Sequence, residues 1–403
     1  MVGIRSVTYQ LSENYDKNEL DIILDISREW AKRYSLIRTQ RISLAPIYTP
    51  CDMSRFSAIS QVCDLSDIRW FNIPVDPWKA EKKADRDLMF KFSEMVLANY
   101  GRAFINILTF KENQADQDIM ERSAYLVKKV GQLSENGRDN FRLGLSVNIP
   151  NDGPFFPFTK SSGEFGFSIA LELTQDINKI CDSNPKNSLW QLREKIRDDL
   201  KRQISNINQI ALDIEKKYGI VFHGFDFSIA PIIAKDGSIV TILQRLGIYN
   251  FGKTGTMFAT GYLTDLIKSF QKDFKSVGFS GVMYSMLEDL DLCMINNQRG
   301  ISLEELIKVS TMCGCGVDMV PVSGDISIQE IITILLEVYM ISVRLNKPLG
   351  IRLLPITSCH RDQIYYTNLY DDADFIANTK VVSIDLNIIK NIGEKFELYC
   401  HKC

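Results

Sequence analysis

The sequence predicts an α/β protein with a largely parallel sheet, either open or closed into a barrel. Segments with strand and helix patterns alternate from one end of the 403-residue chain to the other, as they do in α/β folds. Hydrophobic residues make up 45% and charged residues 24% of the chain, which is ordinary for a globular protein with a large core. Because no low-complexity linker interrupts the alternation, the prediction is a single domain over residues 1–403.

Hydrophobic spacing defines the elements of the first half. Apolar and polar residues alternate at the N-terminus, as in a half-buried strand. A long helix is predicted over 190–218, where apolar residues recur at helical spacing and Gly219 supplies a C-cap. The other predicted strands of this half are 41–47, 70–73, 103–108, 141–148 and 168–173, and the other predicted helices are 17–34, 52–64, 85–98 and 116–133.

The second half of the chain repeats the alternation. Ser302 and Ser327 stand where helix N-caps are expected. Residues 41–47 and 225–232 both end in Ala-Pro-Ile, which raises the alternative of two half-barrels, about 1–215 and 216–403. The predicted strands of this half are 226–232, 282–286, 350–355 and 381–386, and the predicted helices are 238–246, 302–310, 327–345 and one after residue 252.

Composition excludes several classes of protein. The net charge is −3, so no strong positive field favours nucleic acid or an anionic membrane surface. The N-terminus lacks the apolar run of a signal peptide, and the most apolar later stretch, 331–345, is short for a membrane span and contains Glu337. Nine cysteines form an odd set, which favours free thiols and a cytoplasmic location. Only three histidines are present, too few for a histidine-rich metal centre.

The most unusual segment is 312–325, in which Cys313 and Cys315 alternate with glycines and Asp318 and Asp325 follow. Glycine permits tight turns and close backbone approach, so we expect a loop that presents a thiol inside a cavity. The alternative is a buried turn with inert thiols. The Cys-x-Cys spacing matches neither a Cys-x-x-Cys redox pair nor a zinc site.

Residues 247–254 match the phosphate-binding pattern G-x-x-x-x-G-K-[ST] letter for letter. That motif follows a buried strand, whereas 239–246 has the pattern of an amphipathic helix, so nucleotide hydrolysis is the weakest interpretation. A simpler role remains for Gly252, Lys253 and Thr254. They precede a predicted helix, whose free N–H groups would favour an anionic ligand.

Carboxylates and arginines at strand ends are further candidates for catalytic or ligand-binding residues. Glu288 and Asp289 follow a predicted strand, where they could bind a divalent metal or act as acid and base, or simply begin a helix. Asp226 lies within an apolar strand and needs a partner. Arg41 and Arg352 would either pair with such acids or hold a carboxylate or phosphate of a ligand.

An ordered series of short motifs then resembles a known family, the domain-of-unknown-function family 711, which is described as uncharacterised and pyruvate-formate-lyase-like. The resemblance extends over nearly the whole chain. It rests on residues 38–41, 140–143, 154–157, 225–231, 251–256, 278–283, 287–289, 313–318, 324–325, 347–348 and 352–355.

The resemblance implies a ten-stranded α/β barrel of the pyruvate-formate-lyase-like type, with a cysteine-bearing loop inserted in the barrel, and Cys313 is the matching cysteine. Three departures from the family pattern limit the analogy. The glycyl-radical sequence expected near the C-terminus is absent from 394–400, so no glycyl radical is expected. The Tyr-His pair that the family carries after Pro157 is replaced by Phe158 and Thr159. Because the family has threonine where this chain has Cys315, the expectation favours Cys313.

Two functional hypotheses follow. The first is an enzyme that acts on a small anionic metabolite inside the barrel, with Cys313 as the reactive thiol, Asp318 and Glu288 as acid, base or metal ligands, and Arg41 and Arg352 as anchors. The second is a non-catalytic ligand-binding or regulatory protein. A homodimer is expected, since helices around a barrel often leave apolar seams.

Overall fold

The computed structural model describes residues 1–51, 53–80, 82–361, 363–369 and 375–398. Over these residues the chain forms a mixed α/β fold with a nine-stranded central sheet and a separate two-stranded sheet. The strands are β1 (Gly3–Gln10), β2 (Gln40–Ser43), β3 (Ile68–Val75), β4 (Ala103–Leu108), β5 (Gln114–Asp116), β6 (Leu143–Val147), β7 (Gly166–Glu172), β8 (Val221–Asp226), β9 (Gly316–Ser323), β10 (Leu349–Ile356) and β11 (Lys395–Glu397).

The helices fill most of the chain between the strands. No helix in the described ranges combines the length and the apolarity that a bilayer crossing requires. The α-helices are α1 (Lys17–Arg33), α2 (Ser54–Asp64), α3 (Lys83–Asn99), α4 (Gln117–Val130), α5 (Thr174–Asp182), α6 (Leu189–Tyr218), α7 (Ile239–Arg245), α8 (Thr256–Lys268), α9 (Leu290–Arg299), α10 (Leu303–Ser310) and α11 (Ile328–Leu345).

The central sheet contains two groups of strands that run in opposite directions. Its order is β8-β7-β1-β2-β3-β4-β6-β10-β9. The five strands from β1 to β6 in this order are parallel, while β7 is antiparallel to β1 and β10 is antiparallel to β6. Strand direction therefore changes between β6 and β7 along the chain, well before residue 215.

One segment, residues 276–285, touches both edges of this sheet. Ser276 and Val282 form parallel bridges with Phe225 and Ile229, at and just beyond the end of β8. Ser285 forms a parallel bridge with Asp318 of β9. These are isolated bridges and not a continuous ladder, although a strand had been predicted over 282–286. The two edges of the sheet thus lie close to the same stretch of chain.

The two faces of the sheet have different chemistry. On one face, apolar side chains pack against helices: Phe71 of β3 stacks on Phe56 of α2, with ring centroids 6.3 Å apart. Since side chains alternate along a strand, the neighbouring Asn72 points to the other face, where it donates a hydrogen bond to the carbonyl oxygen of Thr159 at 2.9 Å. Asn106 of β4 donates to the same oxygen at 3.2 Å.

This polar face is covered by the aromatic segment, residues 153–159. Thr8 Oγ1 of β1 donates to the carbonyl oxygen of Pro154 at 3.1 Å. On β6 and β10, Gly144 and Gly350 leave the space that Phe158 occupies. The family resemblance implies a cysteine-bearing loop inserted in a barrel, and the segment that lies against these strands is the aromatic one.

Gly350→Ala is expected to lower the free energy of unfolding by about 1–3 kcal/mol, the usual cost of overpacking. A Cβ atom at Gly350 would lie 2.6 Å from ring atoms of Phe158. Gly101→Ala is the control, because no atom lies within 4 Å of its added Cβ. Urea denaturation of both variants measures the difference. Equal midpoints would show that Phe158 is not fixed against β10.

Most predicted elements are confirmed. Besides the strand predicted over 282–286, the strand predicted over 226–232 is wrong, because β8 ends at Asp226, and two further predictions are wrong. Residues 316–323 had been assigned to a loop, but they form β9, so Asp318 is a strand residue. Residues 381–386 had been predicted as a strand, but they join no sheet. Val382 instead donates a single backbone hydrogen bond to Pro321 of β9. Strand β9 was assigned to a loop because glycines and cysteines precede its β-branched residues.

Candidate functional site

A small cavity of about 30 Å³ lies between the aromatic segment and the central sheet. Its wall combines seven aromatic rings with buried charges and one thiol. The lining residues are Arg5, Arg41, Trp70, Phe104, Phe141, Phe155, Phe156, Phe158, Ala230, Pro231, Met283, Ser285, Glu288, Cys315, Asp318, Arg352 and Phe375.

Arg352 of β10 binds both predicted acidic residues. Its Nε and Nη2 atoms contact the two oxygens of Asp318 at 2.7 and 2.9 Å, and Nη2 also contacts Glu288 Oε1 at 3.1 Å. All three side chains are buried. Such bidentate pairs are strong and directional. The structure therefore brings Arg352, Asp318 and Glu288 together as partners of one another.

Arg5 of β1 completes this network, and sequence reasoning missed it. Its Nη2 atom contacts Glu288 Oε2 at 3.0 Å, and its Nη1 atom contacts Glu172 at 3.2 Å and the carbonyl oxygen of Pro231 at 2.8 Å. Glu288 thus lies between two guanidinium groups. The available signal was an arginine inside the alternating strand pattern of β1, next to Ile4.

Arg41 of β2 differs from the other two arginines. It is buried, and its guanidinium carbon lies 5.2 Å from the ring centroids of both Trp70 and Phe156. Its Nε atom donates to Thr39 Oγ1 at 3.0 Å, but within the described residues it pairs with no carboxylate. Burial, followed by repulsion from Arg5, lowers the pKa of Arg41 well below its ordinary value.

The cavity wall therefore carries one surplus positive charge. Its charged lining residues in the described part of the chain are three arginines and two acids. A buried charge without a partner is costly. Ser285 adds an unsatisfied hydroxyl, since its Oγ atom is buried and has no hydrogen-bond partner among the described residues. A guanidinium without a carboxylate partner and a hydroxyl without a hydrogen-bond partner, among the described residues, therefore line the same cavity.

A β-bulge sets the direction of the acidic side chain in this wall. The register of β9 against β10 shifts around Met319, whose φ angle is +52°. Non-glycine residues seldom adopt this left-handed conformation. Bulges of this kind re-aim side chains and are common next to functional sites. Here the bulge accompanies the bidentate contact between Asp318 and Arg352.

Cys315 is the thiol that lines the cavity, whereas Cys313, the predicted reactive cysteine, does not. Both are buried. A hydrogen bond from Cys315, assisted by the charge of Lys347, lowers the pKa of Cys313 to about 6. The same bond, together with burial, raises the pKa of Cys315 well above its ordinary value. The opposite directions of the two pKa shifts indicate that the pair shares a proton, which Cys315 holds more tightly than Cys313 does.

The Cys313 thiolate is expected to titrate with a midpoint near pH 6, measured by its ultraviolet absorbance. Lys347→Met should move the midpoint upward, because it removes the nearby positive charge. Cys293→Ser is the control, since burial raises the pKa of Cys293 and keeps it protonated. A midpoint at the ordinary thiol value would contradict the proton-sharing pair.

The lowered pKa of Cys313 also predicts how the free energy of unfolding depends on pH. The pKa of Cys313 is lower in the folded state, about 6, than the ordinary pKa of a cysteine thiol, about 8.5. Its stabilising contribution is therefore fully present above the unfolded pKa and is lost as the pH falls through 6. Between these values the free energy of unfolding should rise with a slope of about 1.4 kcal/mol per pH unit from this group. Denaturation of the Cys313→Ser variant should lack that slope.

Asp226 and Asp289 have structural partners outside the cavity. Asp226 accepts hydrogen bonds from Ser228, Phe279 and Ser280, which tie the end of β8 to residues 276–285. Burial raises its pKa.

Asp289 is the N-cap of α9 and also accepts from Ser238 and Ile239, where α7 begins. Burial raises its pKa to about 6. Its carboxylate and that of Glu288 are thus engaged by different partners. Within the described residues, no group of three His, Cys, Asp or Glu side chains is placed to hold a metal ion.

The remaining predicted residues lie elsewhere on the molecule. Gly252, Lys253 and Thr254 do not line the cavity, and Lys253 and Thr254 are exposed. They follow helix α7, so the strand that a phosphate-binding loop requires is not there. Asp325 also lies outside the cavity wall. It accepts hydrogen bonds from Ser323 Oγ at 2.6 Å and from the backbone of Arg361 at 2.9 Å.

Comparison with known proteins places the chain in a family. The family model described as "Uncharacterised ACR (DUF711)" matches residues 36–364. A UPF0210 protein of Pyrobaculum aerophilum is 26% identical over 288 residues, which is 68% of this chain and 61% of that protein. One of Methanocaldococcus jannaschii is 22% identical over 381 residues, 86% of this chain and 81% of that protein.

The match to several of these relatives is partial. The alignments span between 51% and 61% of the length of the UPF0210 proteins from three Pyrobaculum species. One from Acetivibrio thermocellus is 26% identical over 263 residues, 62% of this chain and 57% of that protein. The family model nevertheless covers more than half of the chain in one continuous match. The protein therefore belongs to the DUF711 family.

Proposed function

We propose that the protein is an enzyme that acts on a small anionic metabolite bound in the cavity beneath the aromatic segment. The observation that carries the proposal is the buried guanidinium of Arg41, which no carboxylate neutralises within the described residues. An anionic group of the ligand would supply the missing charge. The cavity volume of about 30 Å³ restricts the ligand to a molecule of very few non-hydrogen atoms.

The thiol pair provides the reactive groups of this proposal. Cys315 faces the ligand, and the Cys313 thiolate accepts its hydrogen bond. As Cys315 Sγ bonds to an electrophilic carbonyl carbon, its proton moves to Cys313 Sγ, and the carbonyl electrons move to the oxygen. Ser285 Oγ, which has no other partner in the described structure, would donate a hydrogen bond to that oxygen. This is nucleophilic catalysis with an adjacent base.

We also propose that residues 276–285 complete a ten-stranded barrel of the pyruvate-formate-lyase-like type. The support is that this segment bridges both edges of the nine-stranded sheet, at Phe225 and Ile229 on one side and at Asp318 on the other. Five strands would then run in each direction. Closure would enclose the cavity and the aromatic segment on all sides, which is how a barrel excludes water from a site.

The second candidate is a non-catalytic ligand-binding or regulatory protein. This candidate is favoured by the ion pairs of Asp318 and Glu288, because both carboxylate oxygens of each residue contact guanidinium groups. A carboxylate held in this way is poorly placed to transfer protons. The two candidates share the anion site and differ only in whether the bound molecule is converted.

The test is native mass spectrometry of protein purified without oxygen, followed by incubation with a panel of small monocarboxylates. An added mass on the 46.0 kDa chain that identifies a small anion, with conversion of a panel member, is the expected result. Binding without conversion would establish the non-catalytic candidate. No anion bound in either experiment would overturn both.

Two further expectations belong to the proposal. We propose a homodimer, which the same native mass measurement decides. We also propose a cytoplasmic location, which is supported by the seven described cysteines, all of them free, as expected in a reducing compartment. Localisation of the tagged protein in its own cells tests it.

A further inference from the structure

A second and larger cavity, which we call the strand-end cleft, lies outside the site described above. Its volume is about 1140 Å³. It lies at the carboxyl ends of β3, β4 and β6, whereas Arg41, Trp70 and Phe104 lie near the beginnings of their strands. Its lining residues are Asp76, Trp78, Leu108, Phe110, Lys111, Glu112, Asn113, Ser146, Asn148, Ile149, Lys160, Val343, Arg344, Leu345 and Asn346.

Lys160 is the distinctive residue of this cleft. It is half-buried, and its ammonium group makes no hydrogen bond or ion pair with the described residues. Its backbone is fixed, because its carbonyl oxygen accepts a hydrogen bond from the N–H of Asp152 at 2.7 Å. Burial lowers its pKa, and the negative charges of Asp76 and Asp152 oppose that shift only in part. A cation held here without a partner is costly unless a ligand uses it.

Two further cations face the same cleft from different elements. Lys111 follows β4, and Arg344 lies in the last turn of α11. Neither forms an ion pair with the described residues, whereas most exposed arginines of helices α1 and α6 do. The apolar part of the cleft wall consists of Leu108, Phe110 and Ile149. In α/β proteins, ligands bind outside the carboxyl ends of parallel strands.

We propose that the strand-end cleft is a second ligand site, which takes an organic phosphate whose phosphate group binds Lys160. The lining carries three cations, Lys111, Lys160 and Arg344, against two carboxylates, Asp76 and Glu112. The surplus of positive charge suits an anionic group such as a phosphate. The volume of the cleft accommodates a body larger than the phosphate itself. The site differs from the interior cavity in position and size, so it does not depend on the function proposed for that cavity.

The test measures how fast an acylating reagent modifies each lysine of the full chain, with inorganic pyrophosphate as the probe. Saturating pyrophosphate is expected to slow acylation of Lys160 by about tenfold, while exposed Lys253 reacts at an unchanged rate. Sodium chloride at matched ionic strength should protect neither residue. Equal rates at Lys160 with and without pyrophosphate would overturn the proposal.

Three variants make the result specific. Lys160→Met should abolish pyrophosphate binding in calorimetry, whereas Lys253→Met should not alter it. Arg41→Met should leave protection of Lys160 intact, which separates this cleft from the interior cavity. If citrate protected Lys160 as well as pyrophosphate does, the phosphate assignment would be wrong. If Lys160→Met bound pyrophosphate normally, the site itself would be wrong.

Discussion

Arg352→Met is expected to lower the free energy of unfolding by about 3–5 kcal/mol, the cost of breaking a buried ion pair by removing one partner. Arg352 holds both oxygens of Asp318 and one oxygen of Glu288, and its side chain is only 3% exposed. Without it, Asp318 would keep a buried negative charge with no cation in contact. Denaturation by guanidinium chloride measures the loss through the transition midpoint.

Two comparisons identify the cause of that loss. Arg352→Met combined with Asp318→Asn removes both charges of the closest pair and should recover part of the stability. Arg28→Met is the surface control, because Arg28 pairs with Asp25 while its side chain is 61% exposed, and exposed pairs contribute little. If Arg352→Met were as stable as Arg28→Met, the buried network would not stabilise the fold.

Arg41→Met should have the opposite effect on stability and the largest effect on binding. The variant removes a buried cation that has no carboxylate partner among the described residues, so the free energy of unfolding should be unchanged or higher. Affinity for a small anionic ligand should fall by about 100-fold or more, since one partner of a buried charge pair is lost. Calorimetry of the wild type and the variant measures the affinity.

Arg41→Lys separates charge from shape. A lysine keeps the positive charge but cannot place a planar group between Trp70 and Phe156, as the guanidinium does, and arginine and lysine are not interchangeable at such sites. Its affinity should therefore lie between those of the wild type and Arg41→Met. A large loss of stability in Arg41→Met, with ligand affinity preserved, would assign Arg41 to the fold.

The sequence was sufficient for elements with strong periodicity. Helix α6 was predicted to within one residue because apolar residues recur at helical spacing and Gly219 adopts the left-handed conformation of a C-cap, with φ of +66°. Strand β9 was missed because its β-branched residues follow two glycines and two cysteines. The assignment of 381–386 as a strand failed because an apolar run does not reveal whether a neighbouring strand is available.

Several residues of the site could be selected from the sequence by their type, but the contacts between them could not be predicted. Arg352, Asp318 and Glu288 were all selected from the sequence, but their mutual pairing, which is accompanied by a bulge at Met319, was not. The sequence analysis favoured Cys313, whereas Cys315 lines the cavity. Both cysteines lie in the turn before β9, and the sequence of a turn does not show which side chain points inward. Lys160 carried no signal beyond its place after the aromatic segment, because its burial arises from contacts distant in sequence.

The most direct test of the central claim is the stability of the wild type and of Arg41→Met as a function of sodium formate or sodium acetate concentration, with sodium chloride at equal ionic strength as the reference. A ligand that binds only the folded state raises the free energy of unfolding with the logarithm of its concentration. The account predicts this rise in the wild type and its absence in Arg41→Met. An equal response of both proteins, or none in the wild type, would contradict the assignment of Arg41 to an anion site.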